Sequence, residues 1–225
     1  MKKLGMVWVA WSIMAGSTWA DEADEAGETR VGLSVLSDYV YRGFSYSNDR
    51  PTVALALAHE WRQHSVFVRM TPVMLGEKRR LQVQAGFAHV WRDTPQLQIW
   101  SGLTSTRSGL LPSLHEVVNG FVWRVGEHYV RTESFVALGG QMGSRHVDVE
   151  LGWNLSDELT LAAAWGNTRQ FGYLADADHD YYRVQLSSAG QRADWSLAFE
   201  RAYDVGVPGE LDDAPRVTAF LQWWL

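Results

Sequence analysis

Apolar residues alternate with polar or small ones in one segment after another, and no long stretch repeats them at helical spacing. A period of two puts successive side chains on opposite faces of an extended strand. Twelve segments carry this pattern: 30–45, 52–61, 64–73, 80–91, 96–104, 115–125, 128–139, 145–154, 159–168, 180–188, 192–202 and 216–225. Between 80 and 91, Leu81, Val83, Ala85 and Phe87 share one face, and Gln82, Gln84, Gly86 and Ala88 the other. Val147, Val149, Leu151 and Trp153 likewise oppose Asp148, Glu150, Gly152 and Asn154. Segments 30–45 and 115–125 alternate less cleanly.

The links between segments sort by length. Those at 61–64, 91–96, 125–128, 154–159 and 188–192 are tight and carry turn formers such as Gly126, Asn154, Asp157, Gly190 and Pro95. Those at 45–52, 73–80, 104–115, 168–180 and 202–216 are longer, with 139–145 the exception. Short and long links alternating around an even number of antiparallel strands predict an all-β fold, a single transmembrane β-barrel of about twelve strands. The short links would be periplasmic turns and the long ones outer loops. Ten or fourteen strands are the nearest alternatives, because 115–125 and 180–188 are the segments most open to a different count.

Composition sharpens this picture. Twelve of the 225 residues are Trp. Trp61, Trp91, Trp123 and Trp153 each close a segment immediately before a short turn, spaced by 30, 32 and 30 residues, and Trp223 holds the equivalent place in the last segment. Indole rings collect at membrane–water boundaries, so these five read as a periplasmic aromatic girdle. Trp filling the core of a soluble β-sandwich, the competing fold, would not gather at one end of the strands. The last ten residues, RVTAFLQWWL, alternate to the final position. They suit a closing strand that pairs with the first, and they resemble the C-terminal signal read by the barrel-assembly machinery, with Leu225 where Phe or Trp is usual.

Residues 1–20 have Lys2 and Lys3 ahead of an apolar run and end in Thr18-Trp19-Ala20, the pattern of a secretory signal peptide cleaved after Ala20. Residues 21–29, DEADEAGET, read as a disordered acidic tail before a barrel over 30–225. Of 20 basic and 26 acidic side chains the leader takes Lys2 and Lys3, leaving 18 against 26 and a net charge of −8. That balance excludes nucleic acid as a partner. With no Cys, thiolate metal sites, disulfides and Cys nucleophiles are excluded as well.

Segment 37–45 reads SDYVYRGFS and is followed by Asn48-Asp49 and Pro51. It resembles the N-terminal signature of the TorF-type porin family, through Ser37, Asp38, Tyr39, Tyr41, Arg42, Gly43 and Ser45, with Tyr46 where family members often carry Gln. About 15 residues carry the close match; length, leader and strand layout agree. The resemblance implies a Gram-negative outer-membrane barrel suspected of forming a pore, and no particular substrate.

If the strongly apolar faces meet lipid, the others line the lumen. The pore-lining candidates are then Asp38, Arg42, Arg69, Glu116, Arg131, Glu133, Glu150 and Arg183, with Arg124, Arg216, Glu60, Asp148, Asp194 and Glu200 on the same face. Asp38 and Arg42 stand four apart in a predicted strand and so share a side. Mixed signs predict paired charges rather than a selectivity ring of one sign. Such pairs admit two readings, a narrow path for small polar solutes or a lumen plugged by an ion-pair network.

Residues 176–180, DADHD, open like a calcium loop, but Tyr181 occupies the position that needs Gly, so a solvated acidic loop is the simpler reading. With Asp204, Glu210, Asp212 and Asp213 it would make the outer rim acidic. None of the seven His residues has a second His three or four positions away, so no metal site is expected. No cofactor and no catalytic spacing is expected either, although an outer-membrane hydrolase working through His128 or His179 is a third reading. The expected partners are outer-membrane lipid and lipopolysaccharide, the assembly machinery, and small polar solutes.

Overall fold

The computed structural model describes residues 27–42, 44–75, 77–109, 113–138, 142–172, 178–190, 193–203 and 214–225. The leader, most of the acidic tail and the acidic stretch 204–213 lie outside the described residues. Twelve antiparallel strands close into one barrel. They are β1 (Glu28–Leu36), β4 (Thr52–Trp61), β5 (His64–Leu75), β6 (Lys78–Asp93), β7 (Leu97–Arg107) and β8 (Leu114–Val125), followed by β9 (His128–Ala137), β10 (Met142–Asn154), β11 (Leu159–Gly172), β12 (His179–Ala189), β13 (Ala193–Tyr203) and β14 (Arg216–Trp224). Two further short strands, β2 (Val40–Tyr41) and β3 (Phe44–Ser45), pair only with each other.

Closure is made by β1, which pairs with β14 on one side and β4 on the other. Leu33 lies opposite both Trp223 and Leu55, and the amide of Leu225 donates to the carbonyl of Val31 at 2.9 Å. Every barrel strand therefore has two neighbours, and the wall leaves no edge exposed.

The alternation of the sequence becomes inside and outside. Leu55, Leu57, Leu103, Leu151, Leu197 and Val217 are exposed on the outer wall, while Ala54, Ala56, Gln98, Thr104, Glu150 and Ser196 are buried within. Ser101, Asn119 and Ser134, side by side in the register, interrupt the apolar exterior. Hydrogen-bonded partners climb around the wall from Glu28 through Glu60, Ser65, Ala88, Gly102, Val118, Phe135, His146 and Thr168 to His179. Glu28 stands near the short-turn rim and His179 near the other, so the strands are steeply tilted. Twelve strands tilted by about 40° enclose a cylinder roughly 24 Å across at the backbone.

Four inward aromatic rings lie flat on the wall because the residue paired with each is glycine: Phe67 on Gly86, Trp100 on Gly120, Tyr129 on Gly152 and Tyr181 on Gly166. A Cβ added at any of these glycines would run into the ring beside it. The missing side chain thus seats the ring against the sheet and keeps its bulk out of the centre.

Four details depart from the sequence expectation. Strand β1 begins at Glu28, so Glu28 and Thr29 belong to the barrel and not to the tail. Segment 30–45 is not one strand: β1 ends at Leu36 and the chain turns inward. The link expected at 73–80 shrinks to residues 76–77, because β5 and β6 run on to Leu75 and Lys78. Near the short-turn rim the β6–β7 register slips between Val90 and Arg92, a bulge that sets Trp91 apart from the ladder. Gly152→Val is predicted to destabilise the barrel by about 1–3 kcal/mol through overpacking against Tyr129, read as a lowered urea midpoint in detergent.

Candidate functional site

The segment after β1 folds into the barrel and is held by its own side chains. Both Ser45 and Ser47 hydroxyls lie 2.6 Å from Oδ1 of Asp38, and the Tyr39 amide donates to Ser47 Oγ at 2.9 Å. The Tyr46 amide donates to the Tyr39 carbonyl at 2.7 Å, and the Met74 amide of β5 to the Tyr46 carbonyl at 2.6 Å, which fastens the segment to the wall. Arg42 adopts a positive φ of 54° at the turn between β2 and β3. Asp38 and Arg42 therefore do not share a strand face or pair with each other, as their spacing had predicted. Local carboxylate–hydroxyl bonds hold the segment in this turn, where the alternation of 30–45 is already weak.

The described residues of segment 37–47 thus make a compact internal hairpin. At its tip, Arg42 reaches across the lumen to Glu116 on β8, with Nη2 to Oε1 at 2.7 Å. The two side chains are 9% and 0% exposed, so this pair has left water almost entirely. The Arg42 guanidinium also lies 4.9 Å from the centroid of the Phe135 ring, and its backbone carbonyl is 2.8 Å from Nε2 of His179. Arg69 stands over Tyr39 at 5.3 Å. Burial raises the Tyr39 phenol above its ordinary value, opposed by the charges of Arg69 and Arg42, and the ring stays neutral beneath the cation.

A second cluster lies on β9, β10 and β12. Arg131 pairs with Glu133 two residues along its own strand, which puts both on one face. The Tyr129 hydroxyl donates to Oε1 of Glu150 at 2.6 Å, and Arg183 Nη2 reaches Oε2 of the same carboxylate at 3.2 Å. Tyr181 donates to Asp148, and Asp148 lies 3.9 Å from Nε2 of His146. Arg183 and Tyr181 are on β12 whereas Glu150 and Asp148 are on β10, so both contacts pass over the intervening β11. There the inward residues are Ala162, Ala164 and Gly166, and this run of small side chains leaves the passage that the contacts use. Arg216 on β14 extends the charges toward the hairpin, 3.9 Å from Asp38 and 3.0 Å from Asp49.

All eight lumen candidates lie inside the barrel. Arg131, Glu133, Glu150 and Arg183 come together in one network; Arg42 pairs with Glu116; Asp38 fastens the hairpin; Arg69 caps Tyr39. Tyr129, Tyr181 and His146 were not among the expected lumen residues, although each stands two positions from a charged candidate on its own strand, Arg131, Arg183 and Asp148. Trp61, Trp91, Trp123, Trp153 and Trp223 all stand near the short-turn rim, with Trp91 and Trp123 the most exposed at 65% and 53%. Trp100 faces inward by parity and is buried. His128 and His179 begin strands at opposite rims, so they do not form one site. Among the described residues no group of three or more His, Cys, Asp or Glu could hold a metal ion.

A comparison with protein-family models finds no match to this sequence, and a comparison with curated proteins finds none. Solved structures share the fold. A structure described as KdgM porin superposes with a TM-score of 0.60 at 6% identity, covering 87% of this chain and 98% of that one. The NanC porin gives 0.62 at 7% identity, over 85% of this chain and 97% of that one. LpxR from Salmonella typhimurium gives 0.54 at 8%, over 88% of this chain and all of that one. The fold is therefore that of a closed, porin-like β-barrel of twelve antiparallel strands.

Removing the Arg42 side chain strands the Glu116 carboxylate in a site with little water. Arg42→Ala is predicted to cost about 3–5 kcal/mol in unfolding free energy, measured by urea titration in detergent. The double variant Arg42→Ala/Glu116→Ala is predicted to cost clearly less than Arg42→Ala alone.

Proposed function

We propose that this chain is an outer-membrane barrel of porin type that passes small polar solutes passively. The observation that carries this reading is the contrast between its walls, apolar outside and charged in both signs within. A wall of exposed Leu and Val suits hydrocarbon, and a barrel satisfies every strand without an edge, which a bilayer demands. The likeness to KdgM and NanC porins supports the same reading, as does the resemblance of segment 37–45 to the TorF-type family.

On this reading the short turns face the periplasm, and the five Trp near them form the girdle at the lipid boundary. Outer-membrane lipid and lipopolysaccharide surround the wall, and β14 is the strand presented to the assembly machinery. The solute path is taken to run between the internal hairpin and the network on β9, β10 and β12, past the pair of Arg42 with Glu116. Solutes cross as the paired charges exchange partners, with carboxylates and guanidinia replacing part of the hydration shell. No cofactor or energy source is needed.

The second reading, a plugged barrel with a structural or adhesive role, draws on the burial of Glu116 and Glu150, whose side chains are 0% and 3% exposed. Planar-bilayer recording separates the two. The wild type is expected to give small discrete steps. Arg42→Ala/Glu116→Ala is expected to enlarge them, and Glu133→Ala to shift ion preference toward anions. A folded, inserted barrel that stays silent in all three forms would establish the plugged reading.

A further inference from the structure

We infer that His64 and His89 form a two-histidine site for a divalent transition-metal ion on the outer wall, beside the short-turn rim. The inference is independent of whether the lumen conducts.

The two residues are 25 positions apart in sequence, beyond any search for His at helical spacing. The β5–β6 register brings them directly opposite each other, on the outward face between Trp61 and Trp91. Their Nδ1 atoms lie 3.3 Å apart, and both rings are part-buried. Two imidazole nitrogens bound to one tetrahedral zinc at about 2.0–2.1 Å are held about 3.3–3.4 Å apart. The observed separation is the one that such an ion needs, without movement of either strand.

The rings are also held in place. His64 packs between Trp61, at 5.6 Å between centroids, and Phe87, at 5.7 Å. His89 meets Trp91 edge-on at 4.3 Å, and Trp91 is itself fixed by donation from Nε1 to Ser101 Oγ at 2.6 Å. Supporting contacts of this kind orient ligands before the metal arrives and reduce the ordering that binding must impose. His59 belongs to the same row of rings, but Trp61 stands next to both it and His64, stacked on His59 at 5.4 Å and 5.6 Å from His64, so His59 is not placed as a third ligand.

Without metal, one Nδ1–H can donate to the other Nδ1. An arriving ion takes both lone pairs, and the ring that carried its hydrogen on Nδ1 holds it on Nε2 instead, so two neutral imidazoles bind without net proton loss. Two protein ligands leave the remaining positions to water, which makes the ion exchangeable rather than structural. Imidazole pairs favour copper, zinc and nickel, with copper bound most tightly.

The test uses the tag-free full-length barrel folded in detergent, titrated with Cu²⁺ and with Zn²⁺. Binding is followed by calorimetry, and for Cu²⁺ also by quenching of the Trp emission contributed by Trp61 and Trp91. One ion per barrel is expected. His64→Ala and His89→Ala are each expected to weaken binding by more than about a hundredfold, since even supporting contacts are worth roughly 10–100-fold. His59→Ala is expected to bind as the wild type does. Heat-modifiable gel mobility confirms that each variant is folded, and His64→Gln repeats the loss with a side chain of similar size. Unchanged affinity in His64→Ala/His89→Ala, or a loss in His59→Ala equal to that in His64→Ala, would overturn the assignment.

Discussion

The structure depends on one constraint: every backbone N–H and C=O of the wall must find its partner within the wall. An open sheet whose outer face avoids water cannot satisfy its edge strands from solvent, so the chain has to return to its beginning. The pairing of Gly32 through Leu36 with Phe220 through Trp224 is where this condition is met. Once the ring is closed, register follows from the alternation alone, because a slip by one residue would turn Glu150 outward and Leu151 inward. The tilt and the width of the cylinder then follow from twelve strands in that register.

Closure creates an interior whose contents must suit each other. Charged side chains brought into a narrow cylinder lose water, and the arrangement shows how the loss is offset. Each buried acid in the central network lies within reach of a guanidinium, a phenol or an imidazole, as Glu150 does with Tyr129 and Arg183. Room for these contacts comes from what is absent: alanine and glycine along β11, and glycine under four aromatic rings. The internal hairpin then uses the space that remains and ties β1 to β8 through Arg42 and Glu116. Small residues and charges are therefore two parts of one packing solution.

Much of this was legible in the sequence, and what escaped has physical causes. Alternation over segments such as 80–91 and 145–154 read directly as inside and outside, since the period of a strand is fixed by its geometry. Trp at the ends of strands marked the short turns. The hairpin was hidden because segment 30–45 alternates too loosely for its break after Leu36 to stand out, and nothing in the pattern reveals that Asp38 will bond Ser45 and Ser47. Parity placed the charges on the inner wall but could not choose their partners: Arg183 finds Glu150 two strands away because β11 between them is small. The pairing of His64 with His89 was invisible along the chain for the same reason, since only register brings them together.

The central claim is that the outer wall meets hydrocarbon and the inner wall does not. The chain has no cysteine, so single cysteines can carry nitroxide labels without background. Labels placed one at a time at positions 195 to 199 of β13, in barrels reconstituted into phospholipid vesicles, report collision with oxygen dissolved in the bilayer and with a water-soluble nickel complex. The account predicts a period of two: positions 197 and 199 open to oxygen and closed to the nickel complex, positions 196 and 198 shielded from oxygen. Equal accessibility at all five positions, or ready access of the nickel complex to 197 and 199, would contradict it.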